Sequence, residues 1–269
     1  MFLPNLRNNV KIVFFDIDET LFMKNEDHLP TTVLPALTRL KQNGIIPAIA
    51  TGRALCSFPQ KIHQLINQVG IDVFVTMNGQ MVSVQGETVA KYPIPPAKIE
   101  LLTHFFDHNQ IDYGFVSPSR IAVSNVTPKV KSALDPITTN YIVDKDFYHH
   151  NDVFQLLPFY DESQDKLIQQ ANILSGLKVV RWHPDSVDLF DVEGSKARGI
   201  SSAIQALGLK MENVMAFGDG LNDIEMLQTV EYGIAMGNAH PELKQYVKYT
   251  TDNIEQDGIA NFLAKVGLI

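Results

Sequence analysis

Two aspartates, Asp16 and Asp18, follow an apolar run near the start of the chain, in the segment KIVFFDIDETLF (Lys11–Phe22). An ionised carboxylate is costly to remove from water unless it is paired or bound to a metal. Magnesium is typically held by one or two carboxylates together with water and phosphate oxygens. The segment therefore favours a site for a metal and a phosphate. The alternative that stays open is a strand ending in ordinary solvated turn residues.

A second acidic group lies in the segment GDGLND, which contains Asp219, Asn222 and Asp223. Its glycines resemble a G-x-G-x-x-G dinucleotide loop, but the carboxylates at its centre and end would repel a pyrophosphate. A metal site accounts for these carboxylates better. Asp and Asn also form ordinary turns, so this segment alone leaves both interpretations open.

Two further segments carry residue types that bind phosphate. Thr51 and Gly52 follow the apolar run IIPAIA, where a helix N-cap and a turn can direct N–H groups at an anion. Lys196 stands at the start of a predicted helix, a position that by itself is more typical of a surface lysine. Ligands of an open parallel sheet bind beyond the carboxyl ends of its strands, and all four segments fall at that edge. Together they predict a metal, a phosphate cradle and a nucleophile in one place.

An alternation of strands and helices in the first and last parts of the chain must position these groups. The apolar runs predicted as buried strands are KIVFFDI, IIPAIA, DVFVTMNG, NVMAFGDG and YGIAMG. Helical spacing separates them, as with Val33, Leu37 and Leu40 before Gly44. Strand–helix–strand repeats imply parallel strands with right-handed crossovers. The predicted fold class is α/β, with a doubly wound, Rossmann-like core.

The pattern changes in the middle of the chain. Strands there alternate more with polar residues, and helices are predicted over Pro96–Asn109 and Glu162–Leu174. The segment QMVSVQGETVAKYPI reads as a hairpin that turns near Gly86. We therefore predict an inserted α+β domain over residues 81–183, with a core built from residues 1–80 and 184–269.

Composition excludes several classes of partner. The 269 residues carry a net charge of −8, which argues against nucleic acid or an anionic membrane surface as the main partner. The single cysteine, Cys56, excludes an intrachain disulfide and a cysteine-based zinc site. No apolar run is long enough to cross a bilayer, and the first residues do not resemble a signal peptide. These features predict a cytoplasmic enzyme.

The four segments together resemble the motifs of the haloacid dehalogenase superfamily, and specifically of its Cof-type phosphatases. The segments DIDET and TGR, the lysine of GSKARG and the segment GDGLND correspond to the four family motifs. TTDNIEQDGIANFL resembles the usual ending of that subfamily. The likeness spans nearly the whole chain, and the insertion lies where such proteins carry a large α/β cap. Two positions depart from the pattern, because Glu19 and Ala197 stand where many relatives have glycine.

The resemblance implies a two-step phosphoryl transfer through an aspartyl-phosphate. Asp16 would be the nucleophile, and Asp18 would be the general acid toward the leaving alcohol and then the general base toward water. Asp16, the backbone carbonyl of Asp18 and Asp219 would hold Mg²⁺ together with a phosphate oxygen. Asp223 would hold the waters of the metal.

The same resemblance assigns the phosphate contacts and the class of substrate. The Thr51 hydroxyl, the Gly52 N–H and Asn222 would hold the phosphoryl oxygens. Lys196 would offset charge on the nucleophile and on the transferring group. The expected substrate is a small phosphorylated metabolite, with sugar phosphates first. The protein is expected to act as a monomer or a homodimer.

Three other functions account for part of this pattern. A phosphomutase uses the same core, but such enzymes more often carry a small helical cap than a large insertion. A regulatory or binding protein on this fold should have lost a catalytic residue, and no motif residue is missing here. A glycosyltransferase with an Asp-x-Asp metal site would not account for Thr51, Lys196 and GDGLND. A phosphatase is the interpretation that uses all four segments.

The insertion is expected to select the substrate by closing over the site. The candidate contacts in it are Arg120, Tyr113, His149 and Trp182, and a structural role is the simpler interpretation of each. The pair His149-His150 lacks further ligands in a metal-binding pattern, so no second metal site is predicted there. Asn78-Gly79, at the end of the third strand, either lines the mouth of the site or forms a plain turn.

Overall fold

The apolar segments of the sequence form strands of two separate sheets in a computed structural model that describes residues 5–269. Each sheet belongs to its own unit. The first unit contains the described residues up to Gly52 together with Phe58–Ala90 and Ser195–Ile269. The second contains Arg53–Ser57 and Lys91–Gly194. The inserted domain predicted from the sequence is thus a separate unit of the chain.

The strands and helices alternate along the chain. The strands are β1 (Ile12–Phe15), β2 (Ile46–Ala50), β3 (Val73–Thr76), β4 (Met81–Val84), β5 (Glu87–Lys91), β6 (Asp112–Val116), β7 (Ile121–Val123), β8 (Tyr141–Val143), β9 (Gln155–Phe159), β10 (Leu177–His183), β11 (Ser186–Asp191), β12 (Val214–Gly218), β13 (Tyr232–Ala235) and β14 (Tyr249–Thr250). The helices are α1 (Val33–Gln42), α2 (Gln60–Val69), α3 (Pro96–His108), α4 (Pro128–Leu134), α5 (Asp165–Gln170), α6 (Lys196–Ala206), α7 (Ile224–Thr229) and α8 (Gly258–Lys265).

The sheet of the first unit has the strand order β14-β13-β12-β1-β2-β3-β4-β5. β1 pairs in parallel with β2 on one side and with β12 on the other, so the strand order reverses at β1. All four residues of β1 are fully buried, which is why this strand reads as an unbroken apolar run. A crevice forms at such a switch point, beyond the carboxyl end of the central strand. This confirms the predicted doubly wound α/β core.

The second unit has a six-stranded sheet with the order β10-β11-β9-β6-β7-β8. β9 pairs antiparallel with β6 and β11, as do β10 with β11 and β6 with β7, whereas β7 and β8 are parallel. Leu102 and Phe106 of α3 and Ile168 of α5 share a buried cluster with Tyr113 and Leu156 of the sheet. Helices therefore cover one face of the sheet, as predicted for the α+β insertion.

The division between the units differs from the predicted boundaries at residues 80/81 and 183/184. β4 pairs antiparallel with β3 in the first sheet, with Val82 opposite Val75, and β5 follows β4 at the edge of that sheet. β11, beyond the second predicted boundary, pairs with β10 inside the second unit. The sequence pattern identifies a hairpin by its period and its turn, but the period does not say which sheet the hairpin joins.

Several helices are shorter than the sequence pattern predicts. α2 begins at Gln60, directly after Pro59, and Cys56 lies half-buried in a separate 3-10 turn before it. α5 covers only the middle of the predicted helix at 162–174. The segment PELKQYV forms a 3-10 turn at Leu243–Gln245. Within residues 5–269, no helix combines the length and the apolar character that a bilayer span requires.

Helix α6 is packed against the first sheet through two glycines. A Cβ on Gly199 would lie 2.4 Å from Cγ1 of Val75 in β3, and a Cβ on Gly79 would lie 1.9 Å from the carbonyl oxygen of Ser195. Gly79 also has φ +81, in the left-handed region that glycine adopts without steric cost. These close approaches fix the start of α6 at the carboxyl end of β3.

Alanine substitutions at Gly79 and Gly86 distinguish the cost of the left-handed backbone from the cost of the close approach to Ser195. Gly86 has φ +86 but open space around it, so Gly86→Ala should lower the free energy of unfolding by about 1 kcal/mol, the cost of the left-handed backbone. Gly79→Ala adds a collision with backbone and should cost about 3 kcal/mol or more. Urea unfolding of both variants measures this. Equal losses would show that α6 is not held by this contact.

Candidate active site

The register of three neighbouring strands brings the motif residues to one edge of the sheet. Phe15 of β1 pairs with Ile49 of β2 and with Phe217 of β12. The residues that follow each strand therefore lie side by side, which places Asp16 and Asp18, Thr51, and Asp219 at the same edge. The backbone N–H of Asp16 continues the pairing and donates to the Phe217 carbonyl at 3.1 Å.

Three carboxylates meet at this edge. Asp16, Asp219 and Asp223 each offer one oxygen, and these oxygens lie within 4.8 Å of one another. Asp223 is fully buried and Asp16 is only 7% exposed. Like charges this close in a poorly solvated place repel strongly, so the cluster requires positive charge.

The ammonium group of Lys196 supplies part of that charge. Its Nζ lies 2.7 Å from Oδ1 of Asp223 and 3.0 Å from Oδ1 of Asp16, and the lysine is 0% exposed. Burial alone would lower the pKa of Lys196, but Asp16 and Asp223 together raise it above its ordinary value. Lys196 is therefore a charged member of the site, unlike the surface lysine that its position alone would suggest.

The start of α6 holds Lys196 in place. Ser195 is the N-cap, and its hydroxyl oxygen accepts a hydrogen bond from the backbone N–H of Arg198 at 3.1 Å. Ala197 follows Lys196 within the first turn, so alanine at this position is compatible with a capped helix.

The remaining acidic groups are incompletely neutralised. Burial raises the pKa of Asp16 to about 7, opposed by the charge of Lys196 and assisted by the charges of Asp223 and Asp18. The pKa of Asp219 is raised to about 8, first by burial and then by the charges of Asp16 and Asp223. One lysine among three carboxylates leaves an excess of negative charge at this edge. Without another cation, the site keeps protons on its carboxyl groups at neutral pH.

These residues fit a divalent metal. Oδ1 of Asp16 is buried, and Lys196 at 3.0 Å is the cation that it contacts among the described residues. A buried carboxylate oxygen in this state is costly unless a cation binds it. Asp16, Asp219 and Asp223 offer the hard oxygen ligands that Mg²⁺ and similar ions prefer.

Asp223 also organises the backbone around the site. Its Oδ2 accepts hydrogen bonds from the N–H groups of Asp219 at 3.0 Å and of Gly220 at 2.9 Å, while Oδ1 contacts Lys196. A Cβ on Gly218 would lie 2.5 Å from Cγ of Asp223, so this carboxylate needs glycine at that position. That Asp223 holds metal-bound water stays a prediction, and both of its oxygens also contact protein groups.

The turn after β1 contains Asp18 and Glu19. Asp18 is half-buried, and its charge contributes to the raised pKa of Asp16. Glu19 has φ 53, a left-handed conformation that explains why glycine suits this position. The Glu19 carboxylate accepts a hydrogen bond from the Lys24 N–H at 3.0 Å, and its carbonyl accepts one from Nδ2 of Asn238 at 2.8 Å. The side chain and the carbonyl of Glu19 thus both help to hold the turn.

The predicted phosphate-binding residues gather around Asn78. The backbone N–H of Asn78 donates to the carbonyl of Thr51 at 3.1 Å, and Thr51 is buried. Nδ2 of Asn222 donates to Oδ1 of Asn78 at 3.1 Å. A Cβ on Gly52 would lie 3.2 Å from the same Oδ1. Thr51, Gly52 and Asn222 therefore belong to one local structure.

Two residues of this structure carry contacts that the sequence did not predict. The hydroxyl of Thr20, in the turn after β1, donates to Oδ1 of Asp219 at 2.7 Å. Asn78 reads as a plain turn residue or a residue at the mouth of the site. The Asn-Gly pair after β3 was the available signal, because it marks a left-handed turn at the edge where the motifs meet.

The candidates in the inserted domain do not form a comparable cluster within the second unit. Tyr113 is buried in the core of that unit, and its hydroxyl lies 3.3 Å from Asp107. His149 is exposed and lies against the ring of Tyr148. Trp182 is half-buried at the end of β10. The structural interpretation of Tyr113 agrees with these contacts.

Comparison with known proteins adds evidence from outside this chain. A family model described as haloacid dehalogenase-like hydrolase matches residues 13–263. "Putative phosphatase YkrA" of Bacillus subtilis is 32% identical over 261 residues, which cover 96% of this chain and 98% of that protein. "Putative bifunctional phosphatase/peptidyl-prolyl cis-trans isomerase" of Streptococcus pyogenes is 34% identical over 97% of this chain. The chain spans about half of the length of that second relative (54%).

A solved structure extends this similarity to the fold. The HAD subclass IIB sugar phosphatase BT4131 has a TM-score of 0.85 and 30% sequence identity to this chain. The match covers 97% of this chain and 100% of that one, so it includes both units.

The metal-free protein should lose stability as the pH rises from about 4 to about 8. In this range the folded state holds protons on Asp16 and Asp219, whose pKa values are raised to about 7 and about 8, whereas the unfolded carboxyls have lost them. The folded state therefore binds more protons, and the free energy of unfolding falls with pH. Urea unfolding in the presence of a chelator at several pH values measures the slope.

Asp219→Asn provides the control for this slope. Burial also raises the pKa of Asp188, in the second unit, to about 7, so part of the slope comes from outside the site. The difference between the wild type and Asp219→Asn isolates the contribution of Asp219. The same slope in both proteins would contradict the raised pKa of Asp219.

Proposed function

We propose that this chain hydrolyses its substrates with Mg²⁺ through an aspartyl-phosphate. The chain belongs to the haloacid dehalogenase-like hydrolases, as a Cof-type phosphatase that acts on phosphoric monoesters of small metabolites. The observation that supports the proposal most directly is the buried cluster of Asp16, Asp219 and Asp223 around Lys196. Such a cluster is costly to fold, and phosphoryl transfer uses every member of it.

The metal would be held by the acidic edge of the first sheet. Asp16 and Asp219 would bind it directly, together with the backbone carbonyl of Asp18. Asp223 would contribute to the negative field and fix the loop that carries Asp219. When bound, Mg²⁺ would neutralise charge on the phosphoryl oxygens and on the carboxylates.

Asp16 would attack the phosphorus atom. A bond would form between its carboxylate oxygen and phosphorus while the bond from phosphorus to the ester oxygen breaks. The contact between Lys196 and Asp16 Oδ1 would orient the carboxylate and compensate its charge. The product of this step is an acyl phosphate on Asp16 and a free alcohol.

Asp18 would move the protons of both steps. It follows Asp16 by two residues on the same turn and would donate its proton to the leaving oxygen. It would then take a proton from water as that water attacks the phosphorus of the acyl phosphate. The second step returns the carboxylate of Asp16 and releases inorganic phosphate.

The phosphoryl oxygens would be bound by Thr51, Gly52 and Asn222. Two of these residues are tied to Asn78, which supports a single preformed cradle. Thr51 and Gly52 follow β2 directly, at the edge where ligands of parallel sheets bind.

Sugar phosphates are the proposed substrates. The similarity to a sugar phosphatase over both units supports this choice. That the inserted domain selects the substrate stays a prediction. A phosphomutase would use the same residues in the first step, but it would return the phosphoryl group to a substrate instead of water.

Asp16→Asn should lower the rate of phosphate release by about 1,000-fold or more, since the nucleophile of a covalent mechanism is removed. The measurement is Mg²⁺-dependent release of inorganic phosphate from a panel of phosphorylated metabolites. Asp72→Asn, at an exposed position of the first unit, is the matched control and should keep full activity. Equal turnover by Asp16→Asn would mean that another residue attacks phosphorus.

Asp18→Asn should separate proton transfer from metal binding. We expect phosphate release to fall by about 100-fold or more, the usual contribution of a general acid. Mg²⁺ affinity, measured by calorimetry, should change little because the proposed ligand at this position is the backbone carbonyl. Loss of Mg²⁺ binding would show that the Asp18 side chain holds the metal.

A further inference from the structure

The turn after β3 has an unusual backbone. Met77, Asn78 and Gly79 have φ values of 51, 54 and 81, so three consecutive residues are left-handed. The left-handed conformation costs about 1–2 kcal/mol at each residue other than glycine. Strain of this kind persists where the surrounding structure holds it, and it is frequent at functional sites.

This turn contacts the segments that carry three of the four motifs. The Asn78 N–H donates to the carbonyl of Thr51, and Oδ1 of Asn78 accepts from Asn222. Gly79 packs against the Ser195 carbonyl at the start of α6, one residue before Lys196. The turn therefore joins the elements after β2 and β12 to the helix that presents the lysine.

The neighbouring Gln80 strengthens the contact with α6. Gln80 is 0% exposed, and its Oε1 accepts a hydrogen bond from Nη2 of Arg198 at 3.1 Å. This bond is a second contact between the turn and α6, whereas Nε2 of the same buried carboxamide has no hydrogen-bond partner among the described residues.

We propose that Asn78 is a positioning residue, which orients the carboxamide of Asn222 for binding a phosphoryl oxygen. This inference rests on the proposed function and deepens it. Asn78 is 5% exposed and anchored by its own backbone, whereas Asn222 is exposed on a 3-10 turn. The buried residue can therefore hold the carboxamide of the exposed one in a fixed orientation.

The chemistry of the two carboxamides explains this arrangement. The NH₂ group of Asn222 has two donors, and Asn78 accepts from Nδ2. The second N–H then points in a fixed direction, available to an anion. Without Asn78, the terminal torsion of Asn222 is broad, and binding a phosphoryl oxygen would have to restrict it. The contribution of Asn222 to phosphate binding thus depends on Asn78.

A double-mutant cycle tests this dependence. Asn78→Gly removes the acceptor and keeps a residue that suits the left-handed backbone, and Asn222→Ala removes the donor. In the presence of Mg²⁺, each variant should weaken binding of inorganic phosphate by about 5- to 10-fold, the value of one hydrogen bond of this type. The double variant should bind no more weakly than Asn222→Ala, because coupled residues are not additive.

Steady-state kinetics with p-nitrophenyl phosphate give a second measurement. KM should rise in Asn78→Gly more than kcat falls, because a phosphate contact is lost in both the ground state and the transition state. Gln85→Gly is the matched control, since Gln85 is also left-handed at φ 53 but exposed in the β4–β5 hairpin. It should leave both measurements unchanged.

Two results would overturn the role of Asn78: unchanged phosphate affinity in Asn78→Gly, or losses that multiply in the double variant. If Asn78→Gly does not fold, Asn78→Ser replaces it in the cycle with the same expectation, since the serine hydroxyl is too short to reach Asn222. A wild type that binds phosphate but releases none from monoesters would instead contradict the proposed function. The binding cycle would still decide the role of Asn78.

Discussion

The buried ammonium of Lys196 between Asp16 and Asp223 is the interaction on which the site depends. A lysine with no exposed surface is costly to fold unless carboxylates compensate it, and the two carboxylates are costly to fold without the lysine. Neither half is stable alone, so the cluster forms only when α6 and the ends of β1 and β12 meet. The fold is therefore arranged around this contact, and the surplus negative charge is what makes the edge suitable for a metal.

The parallel sheet supplies the precision that this contact requires. Because β2, β1 and β12 run in the same direction and in register, the residues that follow them are neighbours although they are far apart in the chain. Glycines then allow the segments to approach. Gly79 leaves room for Ser195, the residue before Lys196, and Gly218 leaves room for Asp223. A side chain at either glycine would displace a charged group of the site.

Strong local signals predicted the core fold and the carboxylates of the candidate site, whereas Lys196 was assigned to it only through the combination of motifs and the family resemblance. Buried strands read as apolar runs, and carboxylates after such runs require a partner. The role of Asn78 could not be predicted, since its contact with Asn222 depends on how distant turns meet. The hairpin of β4 and β5 was assigned to the insertion because its alternation does not identify its sheet. The 3-10 turn at Leu243–Gln245 resembled a helix because short segments have too few residues to show a period.

The contacts of Asp223 constrain how such a protein can change in evolution. Both of its oxygens are committed, one to Lys196 and the other to two backbone N–H groups. Replacing it would disturb the architecture even in a descendant that had abandoned catalysis. Asp16 shares the compensation of Lys196 through one oxygen at 3.0 Å. A descendant without catalysis should therefore keep Asp223 for the loop and for Lys196, and should keep Asp16 only as long as Lys196 stays buried.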